Sequence, residues 1–501
     1  MFTEQDVGSP AKSFIYAFPS EIRDIAEVIC GAGREAYIVG GAVRDLLLGR
    51  EFKDVDIVVD GDAVSLAERI SNHRSAKYFV MNDKHSTVRV LVRSESFGDY
   101  TIDISTIRHS ILNDLTQRDF TCNALAVPID SATQTWHVDQ IIDNSGGISD
   151  LFRKRLTALS EQSFREDPLR LMRAFRIAAQ LKFTIDERTF RWIGANSLLV
   201  SAVASERIRD ELLRIVGSSQ SSEFLELMAD SGLLDPLMPE LTDGRGVKQP
   251  VEHQSDVLTH NLRTPGMLYG LVVSPRSMYS FAEISEAYSK WREALLTEDF
   301  SDGYPRWNFL ALAGLLHDVG KPATKTTEAG GRIRFLNHGF VGSDLARGLL
   351  ERLRFSSKAI NFVTNVIKSH MRPSQMYVQG SMPTRKATYR YHRDLGGIAE
   401  DVLFVSLADY QAAVQEKLDP DYWHYRCTIT DQVLNWNRQE STTTKARYVD
   451  GHDIIEEFSL VEGPVVGRLL ALLDEAVALG TVRSREQALL YLEQVQVKLR
   501  I

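Results

Sequence analysis

The run Tyr37-Ile38-Val39-Gly40-Gly41-Ala42-Val43-Arg44-Asp45, followed by Asp54-Val55-Asp56, constrains this chain more than any other stretch. It reads as a strand, a glycine turn, a helix start and a second strand carrying two carboxylates. Gly40 and Gly41 let backbone N–H groups approach a phosphate closely, and Arg44 adds a fixed cation there. Asp54 and Asp56 alternate with Val55, Ile57, Val58 and Val59, so they share one face, roughly 6–7 Å apart along the strand. Two carboxylates on one face repel unless a cation sits between them. Hard oxygen ligands suit magnesium, which also binds substrate phosphates. Alone, a Gly-Gly pair is a turn and an Asp-x-Asp a solvated strand end; in this order they point to nucleotidyl transfer.

These motifs resemble the head domain of the tRNA nucleotidyltransferase and poly(A) polymerase family, in its bacterial and eukaryotic class, a relative of DNA polymerase beta. Asp103, in Thr101-Ile102-Asp103-Ile104, sits on a later alternating strand and is placed to be a third catalytic carboxylate. Gln117-Arg118-Asp119-Phe120-Thr121-Cys122-Asn123-Ala124 is similar to the second family motif, with Gln117 where a first basic residue is usual. The resemblance gives Arg118 a phosphate role and gives Asp119 and Asn123 the ribose side. A carboxylate that accepts from a 2′-hydroxyl would favour ribonucleotides. Asp143 to Leu151, with Gly146 and Gly147, resembles the hinge that follows the head.

Phe164-Arg165-Glu166-Asp167-Pro168-Leu169-Arg170 is the most specific piece. Asp167 is an N-cap candidate with Pro168 at the first helical position. Arg170, Arg173 and Arg176 recur every three residues and spread over one side of the helix, roughly 120° wide. In the family, the Asp and Arg of the Glu-Asp-x-x-Arg motif read the Watson–Crick edge of the incoming base, a role that falls on Asp167 and Arg170. Such a pair matches cytosine and, after a small shift, adenine. Arg173 and Arg176 would support the pocket or the triphosphate. Ser205 to Leu212 resembles a bracing helix, with helix-spaced pairs Glu206–Arg209 and Arg207–Glu211.

At 501 residues the chain is too long for one core. The expected class is α+β: a polymerase-beta-like nucleotidyltransferase head of mixed sheet and helices over 21–150, then an all-helical neck (151–245), an HD-like body (246–415) and a tail (416–501). Residues 245–305 show few clear periods and read in part as loop or insertion. No apolar run is long enough to span a bilayer, and no basic segment precedes an apolar core at the N-terminus. Cys30, Cys122 and Cys427 are odd in number and scattered, which fits a reducing cytoplasm. The net charge of −9 argues weakly against a nucleic-acid partner, yet residues 151–220 hold 13 Lys/Arg against 8 Asp/Glu. A basic stripe on an acidic protein still attracts a phosphate backbone.

Leu315-Leu316-His317-Asp318-Val319-Gly320-Lys321 resembles the core of the HD phosphohydrolase superfamily. His260 and Asp409 fit its outer positions, and His338 and His370 the optional positions that allow two metals. The resemblance implies a divalent transition metal there, serving a phosphohydrolase or a relic that shapes an RNA platform. The tail segments 448–452 and 462–467 are similar to HD-bearing family members and suit a clamp for the tRNA elbow or an oligomer interface.

The implied reaction adds C, as CC or CCA, to a tRNA 3′ end from CTP or ATP, without a template and by a two-metal mechanism, one magnesium at Asp54 and Asp56 and a second bound with the triphosphate. Only 14 residues, Ile104 to Gln117, separate Asp103 from Arg118, where enzymes that add all of CCA usually have a longer flexible segment. That favours addition of the two cytidines alone, with A addition or poly(A) synthesis as the alternative. A reading of another class is an HD hydrolase whose head binds RNA without catalysis. The sequence leaves the oligomeric state open.

Overall fold

A computed structural model describes residues 15–82, 87–94, 98–107, 109–132, 135–250, 252–274, 286–377, 380–441 and 448–499. The chain divides into two compact units, Met1–Glu211 with Met228–Leu237, and Leu212–Leu227 with Met238–Ile501. No helix among the described residues is long and apolar enough to cross a membrane.

The first unit is built on a six-stranded mixed sheet. Its strands are β1 (Ala36–Val39), β2 (Asp54–Val59), β3 (Lys77–Asn82), β4 (Thr87–Val92), β5 (Tyr100–Thr106) and β6 (Ala126–Pro128), in the order β3-β4-β5-β2-β1-β6. Neighbours are antiparallel except β2 and β5, which run parallel with Asp56 opposite Asp103. Buried Tyr100, Ile102 and Ile104 alternate along β5 with part-exposed Thr101, Asp103 and Ser105. This period of two is the mark of a sheet covered on one face. Helices α1 (Ser20–Cys30) and α3 (Ala63–Arg74) supply the cover, α3 lying against β3, β4 and β5. The acidic positions lie on the other face.

Helices α2 (Gly41–Leu47), α6 (Leu169–Leu181) and α8 (Ser205–Val216) lie where helices were expected, and α4 (Ile111–Thr116), α5 (Gly147–Phe152) and α7 (Glu187–Asn196) join them. On α6, Leu171, Met172, Phe175, Ala178 and Ala179 are buried, which leaves the arginines to the other side. After residue 150 the chain still makes one short parallel pair, Arg155–Leu156 with Thr184–Ile185.

In the second unit, helix α9 (Val257–Val272) and helix α10 (Glu286–Thr297) occupy much of the segment read as loop or insertion. Residues 252–256 remain loop; the helical part showed no clear period because α9 buries Val257, Leu258, Leu262, Leu268, Leu271 and even Pro265 around much of its girth, so no one-sided period survives. Helix α11 (Arg306–Leu316) is buried from Trp307 through Leu316. It packs against α9, α13 (Ser357–Ser369) and α15 (Ala399–Val414), while α12 (His338–Arg352) packs on α13. A helix apolar all round belongs in the middle of a bundle, and its C-terminal end delivers His317 and Asp318 into the interior. Helices α14 (Arg385–Leu395), α16 (Pro420–Ser441), α17 (Gly451–Phe458), α18 (Pro464–Ala478) and α19 (Arg485–Leu499) complete the unit. Buried Glu475 on α18 joins Arg390 (2.8 Å) and Lys386 (2.9 Å) of α14.

The glycine-rich segment before α5 is held, not loose. Asp143 accepts from the N–H groups of Ser145, Gly147 and Ile148. A Cβ on Gly147 would stand 2.2 Å from the Thr121 carbonyl oxygen, so the glycine is required by close packing against the second motif. Gly147→Ala is expected to lower stability by about 1–3 kcal/mol through overpacking. Gly348, exposed within α12 with nothing within 4 Å of its added Cβ, should instead gain about 0.5–1 kcal/mol as Gly348→Ala. Thermal unfolding of the two variants beside the parent checks the opposite signs.

Candidate active and metal sites

The glycine turn, the acidic strand and the second motif converge at one atom. Gly40 has φ 74°, and a Cβ there would meet Arg118 Nη1 at 2.7 Å and Asp56 Oδ2 at 3.1 Å. Only glycine supplies both the left-handed backbone and the gap. Its N–H donates to the Leu125 carbonyl at 3.1 Å. The contribution of Gly40 is therefore its bare Cα, not the amide expected from the sequence. Gly41 opens α2. Arg118 also bonds Asp114, at 3.2 Å.

Asp54 is exposed at the head of β2 and accepts from Thr101 Oγ1 at 2.6 Å. Burial raises the Asp56 carboxyl; Arg118 opposes this, while Asp103 and Asp54 push it further up. Asp103 faces Asp56 across the parallel ladder but is gripped by Arg89, with Nε and Nη2 both at 2.7 Å. A raised carboxyl flanked by two others fits a divalent cation as its missing partner. Among the described residues, sets of three His, Cys, Asp or Glu ligand atoms within 4.8 Å of one another occur only in the second unit.

A polar chain then runs inward. Arg44 bonds Asp45 through Nε (3.0 Å) and Nη2 (2.8 Å), and its Nη1 donates to Asn123 Oδ1 at 2.7 Å. Asn123 Nδ2 donates to Asp119 Oδ1 at 2.9 Å, and Arg173 closes on Asp119 Oδ2 through Nε (2.9 Å) and Nη2 (2.5 Å). Burial would raise Asp119, but Arg173, Asn123 and the Phe120 amide outweigh it and hold the carboxyl low. The chain thus ties the second motif to α2 and α6.

Asp167 and Arg170 are part-exposed at the start of α6. Pro168 already has helical dihedrals, and the Leu169 N–H donates to Asp167 Oδ1 at 3.2 Å, so the cap sits at the expected turn. Arg170 is suspended from backbone carbonyls, Gln117 O at 2.8 Å and Ser163 O at 3.3 Å. Arg207 reaches Asp167 (3.2 Å) and Arg176 reaches Glu211 (2.5 Å). The pairing expected within α8, Arg207 with Glu211, is replaced by these contacts to α6 and its cap. Arg176 thereby joins α6 to α8.

In the second unit two imidazole pairs share one carboxylate. His260 and His317 bring their Nε2 atoms 3.1 Å apart, near Asp318 Oδ2 (3.4 and 3.2 Å) and Asp409 Oδ1 (3.1 and 3.5 Å). His338 and His370 also bring Nε2 to Nε2 at 3.1 Å, near Asp318 Oδ1 (3.3 and 3.6 Å). The Nδ1 atoms of His317, His338 and His370 lie 2.6–2.8 Å from backbone carbonyls of Gly314, Phe335 and Ile367. Such second contacts fix the ring and turn Nε2 inward, as in metal-binding histidines. Asp318 is buried and held well below the carboxylate range, since Lys321 and His317 outweigh its burial. Among the described residues, neither its Oδ1 nor the buried Nδ1 of His260 has a hydrogen-bond partner. Converging nitrogen and oxygen donors around a carboxylate with one oxygen for each pair fit two divalent ions.

Sequence reasoning gave no role to Arg89, to Glu211 as the anchor of Arg176, or to His253. The His253 ring stands edge-on to His260 at 5.2 Å, and burial, Lys321 and His260 drop its pKa to about 4. Lys321 joins Asp318 (2.5 Å) and Gln249 (2.7 Å). Arg89 and Glu211 were recognisable as charged residues on an alternating strand and an amphipathic helix; their partners depend on register.

The model of the poly(A) polymerase head domain matches residues 36–157. That of the probable RNA and SrmB-binding site of polymerase A matches 182–244, and the HD domain matches 294–414. The chain is 29% identical to the CC-adding tRNA nucleotidyltransferase of Thermus thermophilus, over 92% of this chain and 93% of that one. It is 28% identical to the A-adding tRNA nucleotidyltransferase of Deinococcus radiodurans, over 92% and 95%. Identity to the CCA-adding enzyme of Lactobacillus gasseri is 36%, over 40% of this chain and 51% of that one. The fold is similar to Thermotoga maritima CCA-adding enzyme complexed with tRNA (TM-score 0.61, 21% identity, 95% and 94% covered). It is also similar to a CCA-adding enzyme in complex with CTP (TM-score 0.62, 20% identity, 96% and 95% covered). With head, RNA-binding region and HD domain in this order, the chain is a member of the tRNA nucleotidyltransferase and poly(A) polymerase family.

Proposed function

We propose that the chain is a template-independent tRNA nucleotidyltransferase that adds C to the RNA 3′ end. The observation that carries this reading is the convergence on Gly40, whose bare Cα leaves room for both Asp56 Oδ2 and Arg118 Nη1 over the glycine turn. The chain reads as head (21–150), neck (151–245), body (246–415) and tail (416–501). Unpaired Cys30, Cys122 and Cys427 suit a reducing cytoplasm.

Asp54 and Asp56 would hold one magnesium, which would lower the pKa of the 3′-hydroxyl, and a second, bound with the triphosphate, would neutralise the leaving pyrophosphate. Asp103 completes the acidic face. Arg118 and Arg44 draw the triphosphate over Gly40 and Gly41. Asp119 and Asn123 set the ribose side, held rigid by Arg173, and Asp167 with Arg170 reads the base edge. Arg176 supports this helix through Glu211. Positioning of this kind, with fixed cations over the phosphates, supplies most of the catalysis in phosphoryl transfer. In the second unit His260, His317, Asp318 and Asp409 would hold one divalent transition metal, and His338, His370 and Asp318 another, for hydrolysis of a phosphoester.

The short passage from Ile104 to Gln117, most of it strand end and α4, supports CC addition over CCA. Relatives named for CC and for A addition are almost equally similar, so similarity does not choose between them.

Asp54→Ala is expected to lower nucleotide addition by on the order of 10³-fold with tRNA binding nearly intact, read by labelled CTP incorporation beside a filter-binding assay. Supplied with tRNA ending at the discriminator base, after one C or after CC, the enzyme should extend the first two with CTP and leave the third unextended with ATP. Incorporation of A onto the CC end rejects the CC-only reading. Purified full-length chain should carry a transition metal by elemental analysis, and His317→Ala should lose it without loss of CTP addition.

A further inference from the structure

The sheet face that carries the acidic residues continues outward past them. Across the strands, Asp56 stands opposite Asp103, Asp103 opposite Arg89, and Arg89 opposite Phe79. The adjoining row runs Asp54, Thr101, Leu91, Lys77. Side chains at directly opposed positions point to the same face. The same face thus grades from carboxylates through an arginine to apolar side chains. Phe79 is 50% and Leu91 41% exposed, whereas Val88, Val90, Ile102 and Ile104 on the covered face are fully buried. Exposed aromatic and aliphatic side chains on the open face of a sheet need a reason, and an edge strand makes them a hazard without one.

We infer that Phe79 and Leu91, with Arg89 between them and Asp103, seat the last nucleotides of the single-stranded RNA 3′ end that is to be extended. The inference rests on the nucleotidyltransferase reading and adds the place of the RNA acceptor. An aromatic ring beside a cation is the pattern by which proteins hold single-stranded nucleic acid, the ring stacking on a base of any identity and the cation meeting the backbone. From Asp56 to Phe79 is three strand spacings, roughly 14 Å, about four stacked nucleotides at ~3.4 Å each. A 3′-hydroxyl beside Asp54, Asp56 and Asp103 therefore leaves the bases behind it over Leu91 and Phe79. Indifference to base identity is what the growing end demands, since the terminal residue changes after every addition. Arg89 is a positioning residue in this arrangement. Its two hydrogen bonds to Asp103 keep that carboxylate oriented, and its part-exposed guanidinium borders the strand's path.

The test uses the full chain and a tRNA minihelix lacking its terminal C residues. Phe79→Ala should raise the KM for the minihelix about tenfold, with the KM for CTP and the unfolding temperature unchanged. Phe79→Trp should restore the parent KM, and Phe79→Leu should not, because the leucine keeps apolar area without a π face. An unchanged minihelix KM in Phe79→Ala, an equal rise in the KM for CTP, or rescue by leucine overturns the proposal. A change of mass by light scattering in Phe79→Ala also overturns it, because the face would then join two copies of the chain. Fluorescence anisotropy of the minihelix overhang reads the same surface without turnover. If the parent enzyme adds no nucleotide but its overhang binding still falls in Phe79→Ala, the enzymatic reading fails and the RNA seat stands.

Discussion

The buried contact of Arg173 with Asp119 is the joint on which the first unit depends. Removing a carboxylate from water is costly unless hydrogen bonds and an opposite charge replace the solvent. Here Asp119 receives both nitrogens of one arm of a guanidinium, an asparagine amide and a backbone N–H. Because Asn123 also accepts from Arg44, and Arg44 is fixed by Asp45, five polar residues from three separate motifs form one continuous strut. Breaking any member leaves a neighbour charged and unsatisfied, so these residues are mutually dependent and their effects should not add.

The second unit solves a different problem. A wholly apolar helix end pushes His317 and Asp318 into the interior, where neither is comfortable alone. Burial would lower the His317 pKa, but Asp318 and Asp409 lift it to about 10, while burial and neighbouring positive charge drop His370 to about 3. The site is built for concentrated positive charge, and Gly320 secures the packing around it. A Cβ on Gly320 would stand 2.2 Å from the His338 carbonyl oxygen, so α12 approaches the His-Asp turn closely enough for both imidazole pairs to reach one aspartate.

Much of this was legible from local pattern. Alternation on β2 and β5 placed Asp54, Asp56 and Asp103 on one face, and the three-residue recurrence of Arg170, Arg173 and Arg176 set them on one side of α6. What was not legible depended on register and on partners distant in the chain. No spacing rule says that Arg89 will clasp Asp103, or that Glu211 will leave Arg207 for Arg176. The helix at Val257–Val272 escaped notice because burial on several sides erases the one-sided apolar stripe. Gly40 was singled out for its amide, yet the fold uses its missing side chain.

Arg170 hangs from the carbonyl oxygen of Gln117, the last residue of the passage that joins the acidic face to the second motif. The guanidinium is thereby geared to that passage. Lengthening or shortening the connection would move the carbonyl, and the carbonyl would carry the arginine head with it. On the proposed reading of Arg170 as a base-reading residue, nucleotide choice could be retuned by insertions in this connection, with the side chain itself left untouched.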